Sequence, residues 1–318
     1  MAIHAITSRH AQREHLRFGT HSSRIETDWL DARTREFETG LEALQAKDTQ
    51  ENPCNPVILR LKIGKIVSQV HQFLKQRLQT PIDQPLPFMI GVAGGTASGK
   101  STVTEHWTRL FIRQVGKLIG WKNREQGPFA QALNLDHYFF DYAKARREKG
   151  DTAFFRDHAI IDTPDGLDMP LATQHVFKLK NGQAVRTPQY EFTDSSRKDA
   201  HQLKVPTPVI LVEGLYALRP EPLAKLFNLK VFVQATEPVR SERWWDRAAS
   251  RNLSGEAARI MHDRAMAKHS EFVEPTASKA DLVLNGNAGI ANTQKFLAQL
   301  NTLLIKVLTA ALPTKASA

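Results

Sequence analysis

The chain has 318 residues, 41% of them hydrophobic, and carries a formal net charge of +10 at pH 7. This length permits one large domain, or one domain with a substantial extension. The single cysteine, Cys54, excludes an internal disulfide and favours a reducing compartment, so we expect a cytoplasmic protein. No apolar run reaches the length of a membrane span, which argues against a membrane protein.

The first 85 residues are predicted to form a helical extension ahead of a catalytic domain at residues 86–318. Residues 1 to about 26 lack apolar periodicity and are expected to be a disordered tail. A first helical face follows, and a second helix is predicted to begin at Asn55 and Pro56, an N-cap followed by a proline at N1. Leu61, Ile66 and Val70 continue that helix, and Pro81 ends it.

A glycine-rich segment at residues 94–101 has the form G-x-x-x-x-G-K-S, which is typical of a P-loop. A short apolar run precedes it and a helical apolar pattern follows, as the strand–loop–helix context requires. Glycines let the backbone turn sharply and direct N–H groups at an anion, and the helix N-terminus adds positive charge. Lys100 is expected to reach the β- and γ-phosphates, and the Ser101 hydroxyl to ligate Mg²⁺. The predicted nucleotide-binding residues are Gly94, Gly95, Thr96, Ala97, Ser98, Gly99, Lys100, Ser101 and Thr102.

Further strands are predicted at residues 129–135, 209–212, 231–233 and 281–284, with helices between most of them. This alternation predicts an α/β fold of the P-loop NTPase type, a parallel sheet flanked by helices. Residues 185–205 instead predict two extended pieces around a polar turn, which indicates an inserted hairpin. Residues 291–311 predict an amphipathic final helix.

Two acids follow the predicted strands. Ligands of open parallel sheets lie beyond the carboxyl ends of the strands, where Asp136 and Glu213 fall. Phosphoryl transfer needs a group to orient the attacking hydroxyl and acids to hold Mg²⁺. Asp136 is therefore the candidate base and a candidate metal-side acid, and Glu213 is the second metal-side acid. A capping or turn role is the alternative for each.

Two more groups could carry chemistry. Asp162, in the acidic segment at residues 162–168, could bind the vicinal hydroxyls of a sugar or simply cap a helix. Four arginines at spacings of three and four could form a solvated basic face, or a lid that closes over the transferring phosphate. These arginines are Arg240, Arg243, Arg247 and Arg251.

With these residues in hand, the sequence resembles the uridine kinase branch of the phosphoribulokinase/uridine kinase family. The resemblance covers residues 88–285 and includes the P-loop, the segment Asp136-His137-Tyr138 and the hairpin from Pro188 to Arg197. Glu213-Gly214 and the segment 272–276, F-V-E-P-T, are similar to further motifs of that family.

The resemblance implies transfer of a γ-phosphate from ATP or GTP, with Mg²⁺, to the 5′-hydroxyl of uridine or cytidine. It implies Asp136 as base, Asp162 as a ribose-hydroxyl acceptor, and Arg243 and Arg247 as lid arginines. Tyr138 and Tyr190 would line the nucleoside pocket. The family often forms dimers or tetramers, so a homo-oligomer is one expectation.

The sequence also departs from the family. The base-reading histidine of the hairpin falls on Ser195, and the second arginine of a lid pair falls on Trp244. Pantothenate, another sugar or a ribulose phosphate are therefore alternative acceptors, although a phosphorylated acceptor needs extra arginines and Arg197 is the only obvious one. A non-catalytic nucleotide-binding regulator is a second alternative.

The net charge motivates a third alternative, a nucleic-acid-linked ATPase. However, the sequence contains no arginine-rich run with interleaved aromatic residues and no RNA-binding signature. The favoured partner is therefore a small-molecule acceptor, not nucleic acid.

Overall fold

The computed structural model describes residues 20–51, 60–80, 86–119, 127–158, 163–251, 253–287 and 290–310. The helices are α1 (Thr20–Glu51), α2 (Ile63–Gln79), α3 (Lys100–Ile119), α4 (Ala143–Lys149), α5 (Asp151–Asp157), α6 (Met169–Lys180), α7 (Glu221–Ala224), α8 (Glu237–Ala248), α9 (Gly255–Lys268) and α10 (Ile290–Ala310). The strands are β1 (Arg60–Leu61), β2 (Phe88–Gly94), β3 (Ala130–Asn134), β4 (Val185–Glu191), β5 (Ser196–Lys204), β6 (Val209–Glu213), β7 (Leu229–Gln234) and β8 (Leu282–Asn285).

The main sheet has the order β1-β8-β7-β2-β6-β3 among the described residues. All of its pairings are parallel except that of the short edge strand β1 with β8. β4 and β5 form a separate antiparallel hairpin. The predicted parallel α/β fold with an inserted hairpin is therefore confirmed.

Helices cover both faces of this sheet. Side chains of β2 alternate between two cores: Phe88 and Ile90 face one, and Met89 faces the other. The first core is completed by α1, α2, α3 and α10, and the second by α4 to α9 and the hairpin. The sheet thus forms the middle layer of three, with its strands buried on both faces.

The N-terminal helices share the first core with the catalytic sheet. Leu41 of α1 and Val70 of α2 are completely buried in it. Asp281, which directly precedes β8 and is also completely buried, forms ion pairs with Lys65 of α2 at 3.0 Å and Lys230 at 3.5 Å. The predicted extension is thus packed against the catalytic domain; the boundary at residue 85 stays a prediction.

Two predictions in this region are corrected. The second helix does not include Leu61, because Leu61 pairs with Leu282 as part of β1, and α2 begins at Ile63. The predicted start at Asn55 and Pro56 lies outside the described residues. Helix α1 begins at Thr20, inside the stretch predicted to be disordered, and residues 1–19 are not described.

Candidate active site

The P-loop joins β2 to α3 and has the backbone of an anion-binding nest. Gly99 has a φ of +96° and Ala97 a φ of +59°, so the chain reverses through left-handed conformations. A Cβ on Gly95 would lie 2.6 Å from Nδ1 of His269, so only glycine fits beneath that ring. The loop therefore leaves a concave backbone surface directly before the N-terminus of α3, where a phosphate binds well.

Lys100 and Ser101 occupy the first turn of α3. Lys100 is buried and lines a cavity that opens in front of the loop. Ser101 Oγ donates a hydrogen bond to Oε2 of Glu213 at 3.1 Å. Glu213 is the last residue of β6 and is only 4% exposed. Burial raises the pKa of Glu213, the nearby Lys100 opposes that rise and Asp136 adds to it.

Asp136 lies at the same edge of the sheet, in the short 3₁₀ helix Leu135–Tyr138 that follows β3. Asn134 is paired with Glu213 between the adjacent strands, and its side chain accepts a hydrogen bond from the Asp136 N–H at 2.7 Å. Asp136 lines the cavity, and its Oδ1 is buried without a hydrogen-bond partner within the described residues. A buried carboxylate oxygen with no donor indicates a place for a ligand.

The four arginines do not form one lid. Arg240 is buried and donates to the Ala235 carbonyl, so it holds α8 in place. Arg243 donates to the Gly286 carbonyl at 3.0 Å. Arg247 lines the cavity and donates to Thr96 of the P-loop at 3.3 Å, while its Nε is buried and unpaired within the described residues. Burial lowers the pKa of the Arg247 guanidinium. The predicted single lid is therefore wrong for Arg240, and Arg247 is the member directed at the phosphate site.

The other end of the cavity is aromatic and apolar. Tyr190, Phe192 and Ser195 of the hairpin face it together with Phe139 and Phe155. Arg251 lies with its guanidinium carbon 4.2 Å from the centre of the Phe192 ring. The remaining walls are Leu215, Tyr216, Trp244, Leu253, Met261, Ala265, Lys268, His269 and Val273. We call the part of the cavity around the hairpin residues Tyr190, Phe192 and Ser195 the hairpin end. The P-loop with Lys100, Asp136 and Glu213, against which His269 packs, is the phosphate end.

The predicted binding residues Tyr138, Arg197 and Thr102 do not line the cavity. Tyr138 is completely buried, and its hydroxyl contacts Nδ1 of His175 at 2.9 Å, so it packs behind the cavity and does not line it. Arg197 pairs with Asp168, the N-cap of α6, at 3.5 Å. Asp162 lies outside the described residues. Thr102 is exposed on α3, beyond the cavity wall.

Sequence reasoning missed two contributors. Arg146 of α4 is buried behind the hairpin end and contacts Ser195. His269 packs against the P-loop, and burial together with Arg240 lowers its pKa to about 4. Neither residue belongs to a recognisable sequence motif, because each contacts residues that are far away in the sequence.

The residues of this site fit a nucleoside triphosphate and Mg²⁺. The glycine nest and Lys100 suit phosphate oxygens, and Ser98 Oγ is a further buried atom of the loop that has no hydrogen-bond partner in the described part of the chain. Ser101 and the carboxylates of Glu213 and Asp136 supply the oxygen ligands that Mg²⁺ prefers.

Comparison with known proteins agrees with this geometry. The model of the Phosphoribulokinase / Uridine kinase family matches residues 89–288. The chain belongs to this family. A uridine kinase of Deinococcus deserti is 34% identical over 201 residues, which are 62% of this chain and 87% of that protein. A uridine kinase of Halobacterium salinarum is 30% identical over 200 residues, 62% of this chain and 79% of that protein.

Family membership makes the chain a phosphotransferase with a nucleotide as phosphate donor. The match ends before α10 and begins after α2, so α1, α2 and α10 lie outside it. No helix in the part of the chain that the structure describes is long and apolar enough to cross a membrane.

Proposed function

We propose that this chain transfers the γ-phosphate of ATP to the 5′-hydroxyl of a pyrimidine nucleoside, with Mg²⁺ as cofactor. The observation that carries the proposal is a single cavity that contains both Lys100 and Asp136 at one end and an aromatic wall at the other. The names of the relatives in Deinococcus and Halobacterium support a nucleoside as acceptor.

Each residue of the phosphate end has a distinct role in this proposal. The P-loop amides and Lys100 would bind the β- and γ-phosphates, and Ser101 with Glu213 would hold the metal ion. When bound, Mg²⁺ neutralises phosphate charge. Asp136 accepts a hydrogen bond from the 5′-hydroxyl and takes its proton as the oxygen attacks the γ-phosphorus. The bond from that phosphorus to the oxygen bridging to the β-phosphate breaks, and ADP leaves. Arg247 stabilises the negative charge that spreads over the transferred group.

The cations at the hairpin end already have partners, which favours neutral acceptors over phosphorylated ones. Arg251 stacks on Phe192, Arg146 is paired with Asp151, and Lys268 of the cavity wall is paired with Glu271 at 2.6 Å. A ribulose phosphate or another phosphorylated sugar would need an uncommitted cation there. Arg197, the predicted candidate, is paired with Asp168 outside the cavity wall. This arrangement favours a neutral acceptor with a flat apolar part.

A coupled assay of ADP release tests the proposal. The panel contains uridine, cytidine, other nucleosides, free sugars, sugar phosphates and pantothenate, each with ATP and Mg²⁺. We expect release with uridine or cytidine and none without an acceptor. Release with pantothenate or a sugar alone would reassign the acceptor, and tight ATP binding without release across the panel would favour a non-catalytic regulator.

Two further predictions accompany the proposal. The single cysteine supports a cytoplasmic location, and the family resemblance supports a homo-oligomer. Fractionation of cells and light scattering of the purified protein test them.

A further inference from the structure

The edge strand β1 and the residue that follows it carry two cations that bind a turn of the catalytic domain. Arg60 Nη2 donates to the Ala277 carbonyl at 3.1 Å, and Lys62 Nζ donates to the Ser278 carbonyl at 2.6 Å. Both carbonyls lie near the end of the 3₁₀ helix Glu274–Lys279, where basic side chains commonly bind the last carbonyls of a helix. We call Arg60 and Lys62 the clamp.

The backbone around the clamp is fixed as well. Arg60 pairs with Val283 of β8, and the Lys62 N–H donates to the Asp281 carbonyl at 2.9 Å. The completely buried carboxylate of Asp281 is in turn paired with Lys65 of α2 at 3.0 Å. Backbone hydrogen bonds and a partly buried ion pair thus hold the clamp against the two carbonyls that it binds.

The turn that the clamp binds continues from a π-helix at the cavity. The π-helix His269–Val273 leads directly into the 3₁₀ helix, and the buried Thr276 hydroxyl donates to the Val273 carbonyl at 2.6 Å. π-helices are rare and occur frequently at functional sites. His269 and Val273 both line the cavity. The two short helices therefore form one hydrogen-bonded segment that runs from the clamp to the cavity.

His269 is the contact between this segment and the P-loop. Its side chain is buried, and a Cβ on Gly95 would lie only 2.6 Å from its Nδ1. That nitrogen has no hydrogen-bond partner in the described ranges, so close packing holds the ring against the loop. The ring can support the P-loop only while the π-helix keeps its position.

We propose that Arg60 and Lys62 are positioning residues for the nucleotide site, because they hold the segment 269–279 so that His269 supports the P-loop. The proposal rests on nucleotide binding at the P-loop, as in the proposed function, and not on the identity of the acceptor. It gives the N-terminal region a role in the site, although residues before Met89 lie outside the family match. A separate recruitment module would instead leave nucleotide binding unchanged when its cations are removed.

The test measures the Kd of a non-hydrolysable ATP analogue, with Mg²⁺, for the full chain. Lys62→Met keeps the length of the side chain and removes its donor. We expect Kd to rise about 3- to 10-fold, which is within the effect of changes along a packed path between two sites. Lys62→Arg keeps a donor and should keep Kd within about twofold of the wild-type value. The control, Lys75→Met, removes an exposed lysine of α2 and should leave Kd unchanged.

A double-mutant cycle separates transmission through His269 from a general loss of stability. His269→Ala removes the ring that contacts the P-loop, so the further change Lys62→Met should alter Kd by less than about twofold. Thermal melting reports whether each variant is folded. Arg60→Met, at an exposed position, is a second clamp variant that should also raise Kd, and it serves if Lys62→Met does not fold.

Steady-state kinetics distinguish the clamp from the acceptor site. In Lys62→Met the KM for ATP should rise while the KM for uridine is kept. An equal rise of Kd with and without His269, or a wild-type Kd in both Lys62→Met and Arg60→Met, would overturn the clamp and leave the proposed function standing. A wild type that does not bind the ATP analogue would overturn both.

Discussion

The phosphate end and the hairpin end of the cavity are built in different ways. The phosphate end is made from one continuous loop and from two acids at the carboxyl ends of adjacent parallel strands. The hairpin end is made from side chains of several separate elements, and Arg146 and Ser195 are 49 positions apart. A site made from local backbone is encoded by local spacing. A site made from packed side chains depends on how distant elements meet.

The two ends also differ in hydrogen bonding. Asp136 Oδ1, Ser98 Oγ and Arg247 Nε are buried without partners within the described residues, all at or near the phosphate end. At the hairpin end the polar groups of Arg146 and Asp151 bond each other. The phosphate end is therefore completed by its ligand, whereas the hairpin end is organised before the ligand binds.

Replacement of Lys100 should produce the largest loss of activity, and only binding at the phosphate end should be affected. Lys100→Ala removes a buried cation from the phosphates, and we expect kcat/KM for ATP to fall on the order of 10³-fold. Isothermal titration should show weakened ATP binding and retained nucleoside binding. A folded Lys100→Ala protein with full activity would remove the P-loop from the mechanism.

Replacement of Arg247 should have a smaller effect, confined to the rate. Arg247→Met removes the donor that contacts Thr96, and we expect kcat to fall about 10²-fold with little change in KM for either substrate. The control is Arg259→Met, an exposed arginine on α9. Equal losses in both variants would mean that general positive charge, and not Arg247, is responsible.

The smallest expected effect concerns stability at the phosphate end. In the folded protein the pKa of His269 is about 4, below the ordinary value of 6.5. As the pH falls, His269 is therefore protonated in the unfolded chain before it is protonated in the folded one. The free energy of unfolding should therefore fall between pH 6.5 and 4, and by up to about 2 kcal/mol between pH 7 and 5 for this group. Urea unfolding of wild type and His269→Gln measures it. Parallel pH curves for the two proteins would contradict the assignment.

Much of the phosphate end could be predicted from the sequence. The P-loop has a fixed spacing, and the ends of parallel strands meet at one sheet edge, so the sequence predicts that Asp136 and Glu213 lie near Lys100, as they do. The strands themselves are short apolar runs because both of their faces are buried.

The rest depends on contacts that local patterns do not contain. Leu61 matches a helical pattern, but pairing with β8 makes it part of a strand. Spacing groups the four arginines together, yet only packing decides that Arg240 faces the core and Arg247 the cavity. Tyr138 belongs to the predicted segment Asp136-His137-Tyr138, but its side chain packs in the core and not in the cavity wall. No local sequence pattern points to Arg146, because its partner Ser195 lies on the hairpin, far away in the sequence.

In the proposed mechanism, one cavity holds a triphosphate at the P-loop while Asp136 orients an alcohol toward it. The most direct measurement is the turnover of Asp136→Asn with uridine, alongside its affinity for ATP. We expect kcat to fall on the order of 10²–10⁴-fold while the affinity for ATP is kept. An Asp136→Asn enzyme that turns over at the wild-type rate would contradict it.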